Sequence, residues 1–154
     1  DRLAVWRTAK ARARTQQEVL AVLAPTSSTS SAEKPSPADR VAESQIHVLN
    51  DKIVIDVPNA QWSTFTDTNS MDPVFDKGHN TIAVVPQSPD EIQIGDIISY
   101  FNEDLNGIVI HRVIETGQDE NGWYAIVKGD NNPTPDPGKV RFAQIKRVVI
   151  AIVY

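Results

Sequence analysis

No cysteine occurs in the 154 residues, which removes disulfides, zinc–thiolate sites, iron–sulfur clusters and cysteine nucleophiles together. Serine, threonine, lysine and the carboxylates remain as nucleophiles. Glycine is missing from the first half: all seven lie between Gly78 and Gly138, so a turn-rich body follows an N-terminal region of another kind. No apolar run approaches the roughly 18 to 20 residues that cross a bilayer; the longest is VVIAIVY, 148–154. The chain as written is expected to be soluble, and its start at Asp1 rather than methionine fits removal of a preceding segment. An overall excess of positive charge is also absent. The formal charge of -5 disfavours nucleic acid as a partner.

That charge is unevenly spread. Arg2, Arg7, Lys10, Arg12 and Arg14 face Asp1 alone within the first 14 residues, leaving the remainder strongly acidic. Residues 1–24 are rich in Ala, Arg, Gln and Leu, and Leu3, Trp6, Ala9, Ala13, Leu20 and Leu23 recur on a roughly helical period, so a basic amphipathic helix is expected there. Such an arm suits an anionic surface or an acidic partner protein; a solvated helix face explains it equally well. Residues 25–43, mostly Ser, Thr and Pro at their start, read as an extended linker that cannot bury a core.

From residue 44 to 154 the pattern is β. Strands are expected at HVLN, KIVIDV, TIAVVP, DIISYF, GIVIHRVIE, WYAIVK and IKRVVIAIVY, separated by turn-forming DKG, IQIGD, EDLNG, QDENG and GDNNPTPDPG. Closely spaced strands without intervening amphipathic helices predict a mainly β domain, a folded antiparallel or barrel-like sheet with an N-terminal helical appendage.

Three polar features stand out against this pattern. In TDTNSMDPVFDKG, 66–78, Ser70 lies just ahead of Pro73, a combination that a capped turn also explains. In GIVIHRVIE, His111 interrupts an apolar strand, sharing one face with Val109 and Val113. Histidine offers a proton acceptor near neutral pH, though a lone strand histidine is more often structural. In KGDNNPTPDPGKV, Pro135 and Pro137 bracket Asp136 and stiffen the loop that also carries Asp130. Ser70, His111 and one of these acids are the residue types of nucleophile, general base and orienting acid. His47, His79, Trp123 and Tyr124 are read as turn or packing residues, and Asp67, Asp72 and Asp76 lack the spacing of a calcium loop.

The ordered blocks SMDP (70–73), GDII (95–98), IHRVIE (110–115) and KGDNNPTPD (128–136) resemble type I signal peptidases, and the histidine at 111 resembles the archaeal and endoplasmic-reticulum branch, whose bacterial counterparts use lysine. The resemblance implies a serine endopeptidase without cofactor or metal, in which Ser70 attacks, His111 is the base, and Asp136 and Asp130 are the acids. It implies signal-peptide-bearing preproteins as substrates, with small side chains one and three residues before the cut, and work at a membrane surface or beside an anchor outside this chain, on the extracytoplasmic or lumenal face. Thr68 is then a candidate oxyanion donor beside the Ser70 N–H. Met71 is a candidate pocket wall, or alternatively a core residue. Asn69 stands where the family commonly has glycine or serine. The alternative reading is a noncatalytic peptide-binding or assembly module retaining the peptidase fold.

Overall fold

Alternation of β-branched and polar residues, cut by Asn, Asp, Gly and Pro, builds short strands, most of which pair with a neighbour in sequence. In the computed structural model, which describes residues 33–154, β1 (Ile46–Val48) and β2 (Ile53–Ile55) form a separate hairpin. The main sheet contains β3 (Gln61–Thr64), β4 (Asn80–Val84), β5 (Ile97–Asn102), β6 (Gly107–Asp119), β7 (Gly122–Lys128), β8 (Val140–Arg141) and β9 (Ile145–Val153). Its order is β3-β4-β9-β5-β6-β7-β8, and every pairing is antiparallel. The fold is mainly β, as the spacing of strand and turn signals predicts. The expected helix over 1–24 and residues 25–32 of the expected linker lie outside the described residues.

Both faces of the central strands are covered, which explains why β5 and β9 read as continuous apolar runs. On one side Ile98, Tyr100, Val113, Val127 and Val148 pack together; on the other, Met71, Phe75, Ile97 and Val149 do so. Neighbouring residues Ile97 and Ile98, and likewise Val148 and Val149, point into opposite layers, as a period of two requires. Complete burial of an aliphatic side chain such as Ile98 or Val148 contributes about 1.5–3 kcal/mol.

Strand β6 is the longest and carries the site. Its first part pairs with β5, from Gly107↔Asn102 to Arg112↔Ile97, and its pairing with β7 begins only at Arg112↔Lys128. Among the described residues, 107–111 therefore have a strand partner on the β5 side alone. Arg112 is paired on both sides, and a register shift between Val113 and Glu115 follows within the β6–β7 pairing.

The expected linker needs a correction. Its boundary was placed after residue 43, yet the compact unit begins at Lys34. The chain is held there by polar bonds, which a search for apolar periodicity does not detect. Buried Asp96 accepts the Ala38 N–H at 2.8 Å, the Gln93 N–H at 2.9 Å and an Arg40 guanidinium N–H at 2.6 Å. Beside it Gly95 has φ +102, and a Cβ there would collide with the Ser36 carbonyl. Two strands were also missed. QWST forms β3 and VR forms β8, both at sheet edges; β3 carries only one large apolar residue and β8 is two residues long.

Asp96→Ala would leave the half-enclosed Arg40 cation and two backbone donors without their acceptor. It should lower the free energy of unfolding by about 3 kcal/mol, read from urea denaturation; a loss below about 1 kcal/mol would show that the 34–40 segment contributes little to the body.

Candidate active site

Ser70 sits at the start of a tight turn locked from below. The Val74 and Phe75 N–H groups both reach the Met71 carbonyl, at 2.9 and 3.2 Å, while Met71 and Phe75 are each 2% exposed in the second apolar layer. Met71 is thus both of the things the sequence left open, a core residue and a wall of the recess beside Ser70. The peptide bond between Asp72 and Pro73 is cis. Just upstream, Asp76 accepts the N–H groups of Thr68 and Asn69 at 3.3 Å each. Burial raises the Asp76 pKa, but these backbone donors and that of Lys77 outweigh it and hold the carboxyl below the usual range.

Asn69 has φ +56, in the left-handed region where asparagine is tolerated best after glycine. Asparagine at this position therefore meets a backbone requirement of the turn. Its side chain is on an exposed residue, and its carbonyl accepts a 3.0 Å bond from the Asn131 amide nitrogen.

The 129–136 loop joins the Ser70 turn to β6. The Asn131 N–H donates to the Ser70 carbonyl at 3.0 Å, and the Asp136 N–H donates to the Val127 carbonyl at 2.9 Å. Gly129 lets these backbones approach: a Cβ there would lie 2.6 Å from the Ser70 oxygen. Because Lys128 pairs with Arg112, the loop starts beside His111 and its return brings Asp136 back to the imidazole.

The result is a continuous chain of polar groups. The Ser70 Oγ lies 3.2 Å from His111 Nε2, and His111 Nδ1 is in short contact with Asp136 Oδ2. The His111 and Asp136 side chains are only 9% and 12% exposed, so solvent weakens their bond little. Burial alone would raise the Asp136 pKa; hydrogen bonds from His111 and Tyr100 outweigh it, and the group is held below its ordinary value. An ionised carboxylate only accepts, so Nδ1 carries the imidazole proton and Nε2 is left to accept the Ser70 hydroxyl. Thr68 Oγ1 then donates to Ser70 Oγ, 3.3 Å away. Among the described residues the Ser70 N–H has no hydrogen-bond acceptor.

Asp130 is not brought to the imidazole. Its two oxygens take two Arg112 N–H groups at 2.7 and 2.6 Å, and Arg112 also donates to the Gly95 carbonyl at 2.8 Å. The expectation that Asp130 joins Asp136 as a catalytic acid is corrected accordingly: adjacent strand residues 111 and 112 point to opposite faces, and each takes one acid. Tyr100 was missed. Its hydroxyl donates to Asp136 Oδ2 at 2.6 Å, and its pKa is raised well above the usual phenol value by burial and by that carboxylate. The hint lay in DIISYF, where Tyr100 is the polar-tipped residue two positions along the face occupied by Ile98.

These groups open into a recess of about 290 Å³ between Phe65–Ser70 and Ile108–His111, with Met71 and Phe75 in its wall. No family model matches the chain. No solved structure matches it. Over 44 residues it is 52% identical to the uncharacterized protein MJ0260 of Methanocaldococcus jannaschii, a match covering 29% of this chain and 22% of that protein. Among the described residues no cluster of His, Asp and Glu is placed to hold a metal ion, and no helix is long and apolar enough to cross a membrane.

The lowered Asp136 pKa has a definite sign. Its stabilising contribution is fully present above the unfolded-chain carboxylate range of about pH 4 and is lost as pH falls through the lower folded value. Tyr100→Phe removes one donor, so Asp136 should titrate at higher pH by carbon-13 NMR, with about 1 kcal/mol of stability lost at neutral pH. An unmoved Asp136 titration would mean that the phenol does not support the carboxylate.

Proposed function

We propose that the protein is a serine endopeptidase of the signal-peptidase kind. The observation that carries this reading is the unbroken path from Asp136 through His111 to Ser70, ending in an open recess. Ser70 attacks the peptide carbonyl as Nε2 takes its proton, Asp136 steadies the imidazolium, and the proton passes to the leaving amine. Water then attacks the acyl-enzyme with Nε2 again as base. The Ser70 N–H and the Thr68 hydroxyl are the donors nearest the developing oxyanion.

The substrate is an extended peptide. Among the described residues nothing pairs with the edge of β6 residues 107–110 away from β5, beside His111, and a peptide strand pairing there would gain main-chain bonds independent of sequence. The shallow apolar recess suits a small side chain next to the cut. Signal peptides of exported or membrane proteins, met at the extracytoplasmic or lumenal membrane surface, are the substrate class that the four sequence blocks favour.

Cleavage of a panel of signal-peptide substrates tests the proposal. Ser70→Ala and His111→Ala should each lower kcat by about four orders of magnitude or more with the fold intact, and Asp136→Asn by about a thousandfold. Undiminished cleavage by Ser70→Ala would sink it; binding without cleavage by the unaltered protein would leave the noncatalytic peptide-binding reading. Gly129→Ala, which pushes the Ser70 carbonyl away, should cost about a hundredfold in kcat. The rate should also fall toward acid pH as the imidazole is protonated; a flat profile between about pH 5 and 8 is incompatible with histidine as base.

A further inference from the structure

A second recess, of about 250 Å³, adjoins the catalytic one and shares Phe65, Thr66, Ile108 and Ile110 with it. Its chemistry differs. Ser63, Thr81 and Ser99 bring hydroxyl groups to its lining, and Arg147 of β9 reaches it as the single charged residue there. Ser99 is 8% exposed, and its Oγ is buried without a hydrogen-bond partner among the described residues. That hydroxyl has a hydrogen bond left to make, with water or with a polar group entering the recess. The Arg147 guanidinium is bonded through Nε to Gln61 Oε1, which leaves its outer N–H groups free of that bond. Among the described residues it has no carboxylate partner, although the other arginines of the body, Arg40, Arg112 and Arg141, each have one.

An uncompensated, half-buried guanidinium above hydroxyl groups, with no acid in the lining, is built for an anion. A peptide paired along the free edge of β6 would present side chains two residues apart, about 7 Å, on the same face. Two contiguous recesses fit such a pair. We propose that the second recess is a subsite for an acidic side chain, so that the favoured substrate carries Glu or Asp two residues along the strand from the side chain held in the catalytic recess. This rests on the extended-peptide reading above and departs from two apolar pockets, because Arg147 would leave an apolar occupant facing a charge without a partner.

The test uses the full chain and peptides that differ only in carrying Glu or Gln at each position in turn. Cleavage is followed with the active protein, and binding by fluorescence anisotropy with Ser70→Ala. At one position Glu should be favoured over Gln by about fivefold or more, the preference shrinking as ionic strength rises. Arg147→Gln should bring that ratio to about one, and Arg147→Lys, which keeps the charge but not the planar fork, should retain part of it. Equal treatment of Glu and Gln everywhere, or a preference that survives Arg147→Gln, overturns the subsite. Cleavage without the preference leaves the peptidase reading standing and removes the subsite; preferential binding without cleavage does the reverse; neither binding nor cleavage removes both.

Discussion

The contact between His111 Nδ1 and the Asp136 carboxylate decides what the rest of the site can do. An imidazole has two nitrogens, and which one carries the proton depends on what faces it. With an ionised carboxylate at Nδ1, Nε2 becomes an acceptor, and the Ser70 hydroxyl 3.2 Å away has a base rather than a second donor before it. Tyr100 strengthens the arrangement from behind by donating to the same oxygen of Asp136. The acid thus serves through its charge and its position, and stays ionised because its donors outweigh the cost of burial.

That contact depends in turn on backbone geometry far from the imidazole. Loop 129–136 is fastened at both ends, through the Asn131 N–H to the Ser70 carbonyl and through the Asp136 N–H to the Val127 carbonyl. One loop therefore sets the distance from Ser70 to His111 and from His111 to Asp136 together. Asn69 in the left-handed region and the Asp76 carboxylate beneath Thr68 and Asn69 hold the other side of the same turn. The apolar layers contribute rigidity through Met71 and Phe75, which tie the turn to the sheet beneath it.

Legibility in the sequence followed the length scale of each signal. The expected central strands overlap β5, β6, β7 and β9, though β6 runs on to Asp119 through part of an expected turn, because apolar-rich runs of six or more residues between Asn, Asp and Gly turns have few other solutions. Four-residue β3, QWST, carries a single large apolar residue, and two-residue β8 has too few positions to show a period. The 34–40 segment was read as linker because its composition cannot build a core, yet one buried carboxylate, Asp96, captures it through three polar bonds. Within the site Ser70, His111, Asp130 and Asp136 each have an ordinary local explanation, and only their combination as nucleophile-, base- and acid-type residues drew notice. Tyr100 did not, since a tyrosine in a β-strand is ordinary until its hydroxyl is seen to have a carboxylate before it.

The sequence by itself determined a mainly antiparallel body, the absence of thiol chemistry, and a short set of residues able to act as nucleophile, base and acid. Only the tertiary structure decided which acid meets which base. Asp130 and Asp136 are six positions apart on one loop and carry the same group, so no local rule ranks them. The Arg112↔Lys128 register places the loop so that Asp136 reaches His111 while Asp130 is taken by Arg112 on the opposite face. A slip of one residue would exchange those faces, because side chains alternate along a strand with a period of two. Register is settled by pairing and packing across the sheet, and that information is spread over residues distant in the chain.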